Sequence, residues 1–242
     1  MNPAIFREYD IRGIADKDLN DDDVTSLGRA VGSYMIRHGC RKLTLGRDCR
    51  LTSDRYADNF IKGLLATGCD VMNIGVCPTP VLYFSIWHFK AEGGVMITAS
   101  HNPPEYNGFK ICKGTDSVHG GEIQKIRELM EKADFEAGSG TLAEADAIAP
   151  YQAYIKDNIT IEKPVRTAVD AGNGTAGAVS VPLLRDLGCE VHDIYCDMDG
   201  RFPNHEADPT VSENLKDLIA LVKEQELDLG IGYDGDGDRI GV

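Results

Sequence analysis

Short apolar runs alternate with stretches of helical periodicity along the whole chain, and that alternation leaves few folds open. Asp21-Asp22-Asp23 precede Val24, Leu27, Val31 and Met35 at helical spacing, and His38-Gly39 follow. Acids favour a helix start and glycine a helix end. Lys42-Leu43-Thr44-Leu45-Gly46 reads as a strand that delivers Arg47-Asp48. Thr52-Ser53-Asp54 cap a second helix carrying Phe60, Leu64 and Leu65, closed by Gly68. Asp70-Val71-Met72-Asn73-Ile74 is the next strand, and Cys77-Pro78-Thr79-Pro80 break the chain before an aromatic-rich helix through Phe84 and Trp87. The run Gly94-Val95-Met96-Ile97 is a further strand, as is Phe109-Lys110-Ile111-Cys112-Lys113, with a helix over 122–132. Gly138-Ser139-Gly140 and the acidic stretch to Ala149 read as a linker. The pattern then repeats: helix 151–159, strand 166–170, helix 176–187, strand 190–195, helix 213–225 and strand 228–232. Such alternation predicts α/β sheets, mostly parallel, in two successive domains. Active sites in such sheets gather beyond the carboxyl ends of the strands.

Two loops at such ends carry chemistry. The first is Thr98-Ala99-Ser100-His101-Asn102-Pro103-Pro104. A buried strand feeds a serine into a turn that two prolines stiffen. No G-x-S-x-G elbow surrounds it, so a hydrolase nucleophile has no support. His101 is adjacent in sequence, and neighbours often point apart, so it need not act as a base for Ser100. The second loop is Gly232-Tyr233-Asp234-Gly235-Asp236-Gly237-Asp238-Arg239. Glycines let the chain curl until alternate carboxylates face one centre. Three hard oxygen donors suit Mg²⁺, which leaves positions for phosphate oxygens or water. An EF-hand is excluded, because its loop wants glycine where Arg239 stands. A placed hydroxyl and a carboxylate cage together point to phosphoryl transfer. A phosphoserine carries about −1.5 to −2 charges, and a divalent cation is needed between it and three aspartates.

A third stretch, Asp170-Ala171-Gly172-Asn173-Gly174-Thr175-Ala176-Gly177, matches the spacing of a nucleotide loop. A single such match is weak, and tight strand-to-helix packing is the first reading, phosphate binding the second. Basic candidates near strand ends are Arg12, Arg47, Lys110 and Arg239; a surface ion pair is the usual fate of such residues.

The 242 residues carry 25 Lys and Arg against 39 Asp and Glu, a net charge of −14. That excludes a general binder of nucleic acid or anionic membrane, which needs a positive face. No apolar run approaches the roughly 20 residues of a membrane span, and the start lacks the layout of a signal peptide. Seven cysteines without a CxxC pair read as free thiols of a reducing compartment, and a cytoplasmic location is expected.

Taken together, the serine and aspartate loops resemble those of the α-D-phosphohexomutase family, bacterial phosphomannomutase/phosphoglucomutase branch. Phe6-Arg7-Glu8-Tyr9-Asp10-Ile11-Arg12-Gly13 and Gly46-Arg47-Asp48-Cys49-Arg50 resemble further family elements. Tyr106-Asn107-Gly108-Phe109-Lys110 favours hexose-phosphate mutases over phosphoglucosamine mutases, which stay as the alternative. The resemblance implies two mixed, mostly parallel three-layer α/β domains, 1–146 and 147–242. It implies that Ser100 is phosphorylated and gives its phosphoryl group to a hexose monophosphate. Glucose 1,6-bisphosphate or mannose 1,6-bisphosphate is then the intermediate between the 1- and 6-phosphates. Asp234, Asp236 and Asp238 hold Mg²⁺ together with an oxygen on Ser100. Lys110 and Arg12 match positions for acid/base work and hydroxyl contacts; of the two, lysine is the better base, since arginine titrates too high. His101, Asn102 and Arg239 support the phosphoserine, and Tyr9 lines the site. The family's third and fourth domains, which choose the sugar and hold the distal phosphate, have no counterpart here. The expectation is an amino-terminal two-domain fragment with little activity alone. A non-catalytic relic that binds Mg²⁺ and a phosphatase using Ser100 as transient acceptor are the competing readings.

Overall fold

The computed structural model describes residues 2–242; Met1, the first residue of the expected first domain, lies outside the described residues. The first sheet is built from β1 (Ile11–Ile14), β2 (Lys42–Arg47), β3 (Asp70–Val76), β4 (Gly93–Ile97), β5 (Tyr106–Lys113), β6 (Asp116–Ser117) and β7 (Leu142–Glu144). Their order is β1-β5-β4-β2-β3-β7, with β6 beside β5. β2, β3, β4 and β7 run parallel, whereas β5 is antiparallel to both β4 and β1. Helices α1 (Asp21–Arg37), α2 (Ser53–Leu65), α3 (Thr79–His88) and α4 (Gly121–Glu131) cover it. α1 begins where the side chain of Asn20 accepts the amide of Asp23 at 2.9 Å, and Val24, Leu27, Val31 and Met35 are buried. The aromatic centre of this core is Phe109 stacked on Phe60 at 4.8 Å between centroids.

The second sheet has β8 (Arg166–Asp170), β9 (Glu190–Ile194), β10 (Leu229–Tyr233) and β11 (Ile240–Gly241), in the order β11-β10-β8-β9. β8, β9 and β10 are parallel and β11 closes as an antiparallel hairpin. Helices α5 (Ile148–Asn158), α6 (Gly177–Asp186) and α7 (Lys216–Glu224) belong to this half. The two sheets are mixed and mostly parallel, as expected. Among the described residues no helix is long and apolar enough to cross a membrane, and all seven cysteines are free.

The structure departs from the sequence reading in several places. β5 starts at Tyr106 rather than Phe109, because Tyr106–Phe109 form a ladder with β1 that only long-range pairing supplies. The expected linker contains β7, an edge strand with all three side chains exposed and hence no alternation to read. The expected helix 213–225 starts as a 3₁₀ turn, Ser212–Leu215, before α7. Thr52 does not cap α2: its backbone is helical and its hydroxyl accepts the Asn107 amide at 2.9 Å instead.

Candidate active site

β4 ends at Ile97, and the next turn places Ser100 at φ +52°, in the left-handed region. A non-glycine residue there costs about 1–3 kcal/mol and persists only where its surroundings determine it. Those surroundings are explicit. The Ser100 amide donates to Thr98 Oγ1 at 2.8 Å, and Arg12 Nη1 donates to the Ala99 carbonyl at 2.9 Å and to Asn102 Oδ1 at 2.5 Å. Arg12 reaches this turn because its strand pairs with the start of β5, with Arg12 opposite Gly108. The Ser100 carbonyl is gripped by Arg50 from below.

β10 ends at Tyr233 and delivers the aspartate loop to the same place. Asp234 Oδ1 accepts the amides of Asp238 and Arg239 at 3.1 and 3.0 Å, which folds the loop onto itself. Its Oδ2 accepts the Ser100 hydroxyl at 2.6 Å and Arg239 Nε at 3.1 Å. Arg239 Nη2 donates to Ser100 Oγ at 2.5 Å and also meets His101 Nδ1, which lies 3.3 Å from the same oxygen. The loops approach so closely that a Cβ at Gly235 would stand 2.5 Å from the Ser100 carbonyl oxygen. Gly174 packs likewise on the backbone of Gly235, and the Thr175 amide donates to the Gly235 carbonyl at 3.1 Å. The glycine-rich stretch thus acts here as packing beneath the aspartate loop.

One oxygen from each of Asp234, Asp236 and Asp238 lies within 4.8 Å of the others. Asp236 is fully buried; its Oδ2 accepts Thr79 Oγ1 at 2.5 Å and Lys110 Nζ at 2.6 Å, whereas Oδ1 is buried without any partner. Leaving a buried carboxylate oxygen unpaired is costly. Three carboxylates converging with one oxygen unsatisfied fit a hard divalent cation. The charges say the same. Burial and the neighbouring charge of Asp236 push the Asp234 carboxyl up to about 7. Burial presses Asp236 upward too, but the Lys110 ammonium wins and its net displacement is downward. Burial of Lys110 works against its charge, yet Asp236 and Asp238 more than offset this and raise its pKa. His101 is lowered by burial and then by Arg239, so its imidazole is neutral near pH 7.

Family models match both halves: residues 3–137 match "Phosphoglucomutase/phosphomannomutase, alpha/beta/alpha domain I" and residues 149–242 match domain II of the same family. The chain belongs to the phosphoglucomutase/phosphomannomutase family. Among curated relatives, a phosphomannomutase/phosphoglucomutase of Pseudomonas aeruginosa is 45% identical over 239 residues, covering 99% of this chain and 52% of that protein. A phosphoglucomutase of Neisseria gonorrhoeae is 42% identical over 240 residues, covering 98% and 52%. A solved family protein from Burkholderia thailandensis superposes with a TM-score of 0.96 at 38% identity, covering all of this chain and 54% of that one. The chain therefore spans about half the length of the relatives it matches.

Within this family fold, Ser100, His101, Asn102, Arg12, Lys110, Arg239 and the three aspartates do converge. Tyr9 is 73% exposed, with its ring 6.3 Å from that of His119. Lys110 sits on Asp236 and Asp238, at 2.6 and 2.5 Å, rather than on Ser100. In this position it is a held cation, and to take a proton it must first leave both carboxylates. Arg47 turns outward to the exposed Asp54, the usual ion pair. Sequence reading missed Thr79, whose amide donates to the Asp236 carbonyl at 2.8 Å besides its hydroxyl contact. Arg50 appeared in that reading only within a stretch resembling a family element, without a role of its own. Thr79 opens α3 directly after Pro78, so a helix start aimed at a carboxylate was the available signal.

Proposed function

We propose that Ser100 is a phosphoryl carrier and that this chain supplies the donor and metal half of a hexose-phosphate mutase. The observation that carries the reading is the contact across the two sheets. Ser100 Oγ donates to Asp234 at 2.6 Å and accepts from Arg239 at 2.5 Å. A hydroxyl is thus fixed between an acceptor and a cation, where a phosphate's charge would be met. On this reading, Ser100 Oγ and a sugar oxygen exchange one phosphoryl group. The P–O bond to one oxygen forms as that to the other breaks, and the proton moves to the oxygen that loses phosphate. Hexose 1-phosphate and 6-phosphate, of glucose or mannose, interconvert through the 1,6-bisphosphate.

Asp234, Asp236 and Asp238 would hold Mg²⁺, which when bound neutralises charge on the transferring group. Thr79 and Lys110 fix Asp236, and Arg239 fixes Asp234. Neutral His101 accepts from Arg239 beside the serine oxygen without adding charge. Arg12 holds Ala99 and Asn102, and its charge faces the turn. Lys110 is the acid/base candidate for a sugar hydroxyl once it is displaced from the carboxylates. The reading also divides the chain into domains 1–146 and 147–242, supported by the end of β7 at Glu144 and the start of α5 at Ile148. It places sugar choice and the distal phosphate in further domains of a longer protein, and the protein in the cytoplasm as a phosphoprotein.

The test is phosphorus NMR of the chain with glucose 1,6-bisphosphate and Mg²⁺. The expected result is one equivalent of hexose monophosphate and one serine phosphate signal per chain. Steady release of inorganic phosphate overturns the reading in favour of a phosphatase.

A further inference from the structure

Arg50 takes no part in the transfer described above, yet its side chain is fully buried. All five of its guanidinium N–H groups have acceptors. Nε donates to Asp48 at 3.0 Å. Nη1 donates to the carbonyls of Pro103 and Tyr106 at 2.6 and 3.0 Å. Nη2 donates to the carbonyls of Ser100 and Asn102 at 2.9 and 2.6 Å. Four donors of one rigid plane therefore tie together the serine turn, while the fifth anchors that plane on Asp48. Lysine has three donors and no fork, and cannot repeat this. The turn needs such a tie, since Ser100 stands in left-handed backbone.

A second observation comes from the other half of the chain. The segment after β9 crosses to the serine turn: a Cβ at Gly200 would lie 2.4 Å from the Cys49 carbonyl and 2.8 Å from Arg50 Cα. Two residues later Phe202, itself at φ +49°, lays its ring 5.0 Å from the Arg50 guanidinium carbon. An aromatic face over a buried guanidinium attracts it and excludes water. Two strained residues from opposite halves of the chain, Ser100 and Phe202, thus meet through one arginine.

We propose that Arg50, clamped by the ring of Phe202, is the positioning residue that holds Ser100 in its transfer geometry. This rests on the reading of Ser100 as a phosphoryl carrier and adds that the donor loop is set from the second half of the chain. Its contacts with the turn are with backbone carbonyls, so the clamp acts on the geometry of the serine and touches none of the three aspartates.

The experiment compares the whole native chain with Phe202→Tyr, Phe202→Leu and Arg50→Lys. One readout is the rate of Ser100 phosphorylation by glucose 1,6-bisphosphate with Mg²⁺, by quenched intact mass. The other is amide hydrogen exchange across 100–106, with α1 as internal reference. Phe202→Tyr keeps the ring and retains the native rate and protection. Phe202→Leu keeps apolar volume without a ring. It slows the maximal rate by about tenfold or more, as a displaced nucleophile does, with half-saturation unchanged and faster exchange confined to 100–106. Arg50→Lys loses more. A Phe202→Leu chain equal to native in rate and exchange overturns the clamp. If the native chain takes no phosphate, the carrier reading fails and exchange alone decides: unchanged protection at 100–106 in Phe202→Leu overturns the clamp, and faster exchange there supports it.

Discussion

Replacing Gly235 by alanine puts a methyl carbon 2.5 Å from the Ser100 carbonyl oxygen, where ordinary contact begins at 3.4 Å. The serine and aspartate loops must then separate by 3.4 − 2.5 = 0.9 Å. The carbonyl cannot simply rotate away, because Arg50 Nη2 holds it at 2.9 Å. Gly235 is not among the positive-φ glycines, so the cost is steric. Overpacking of this kind costs about 1–3 kcal/mol, and a misplacement near 1 Å slows a positioned reaction by about 10²-fold. Urea unfolding of native chain, Gly235→Ala and Gly121→Ala measures the first figure. Gly121 has nothing within 4 Å of its added carbon and opens α4, so its alanine variant should be neutral or slightly stabilised. A Gly235→Ala chain within about 0.5 kcal/mol of native would refute the claim that the two loops are locked backbone to backbone.

Other outcomes follow from the same contacts. Thr79→Val keeps the shape but removes a hydroxyl donor from buried Asp236. Stability should fall by about 1.5–3 kcal/mol in urea, and Mg²⁺ affinity by calorimetry by about 10–100-fold; unchanged values sink the positioning role. His205 is raised above its ordinary value by its hydrogen bond to buried Asp170, at 3.0 Å. Since the folded pKa lies above the unfolded one, this stabilisation is complete below about pH 6.5. It drains as pH rises through the folded value. Urea midpoints should therefore fall for the native chain relative to His205→Gln as pH rises above about 6.5; parallel curves contradict the assignment.

Much of this was legible because it is local in sequence. The apolar run into Ser100 and the Asp-Gly-Asp-Gly-Asp loop each lie within a few consecutive residues. Their placement at strand ends follows from the α/β alternation alone. What escaped notice is carried by contacts between distant residues. Arg50 finds four of its five acceptors about fifty residues later, and Thr79 its carboxylate 157 residues away. Thr52 looked like a cap, but Asn107 claims its hydroxyl. β7 pairs only through its backbone, and an exposed edge strand leaves no pattern in side chains. Lys110 read as a base from its residue type; its protonation preference depends on two aspartates that only the fold brings near.

The central claim is that Ser100 carries the phosphoryl group. Intact mass and peptide mapping of the chain after incubation with glucose 1,6-bisphosphate and Mg²⁺ test it most directly. The account predicts a single added phosphate, mapped to Ser100, removed by excess glucose 1-phosphate and absent from Ser100→Ala. A chain that gains no phosphate, or gains one that Ser100→Ala retains, contradicts it.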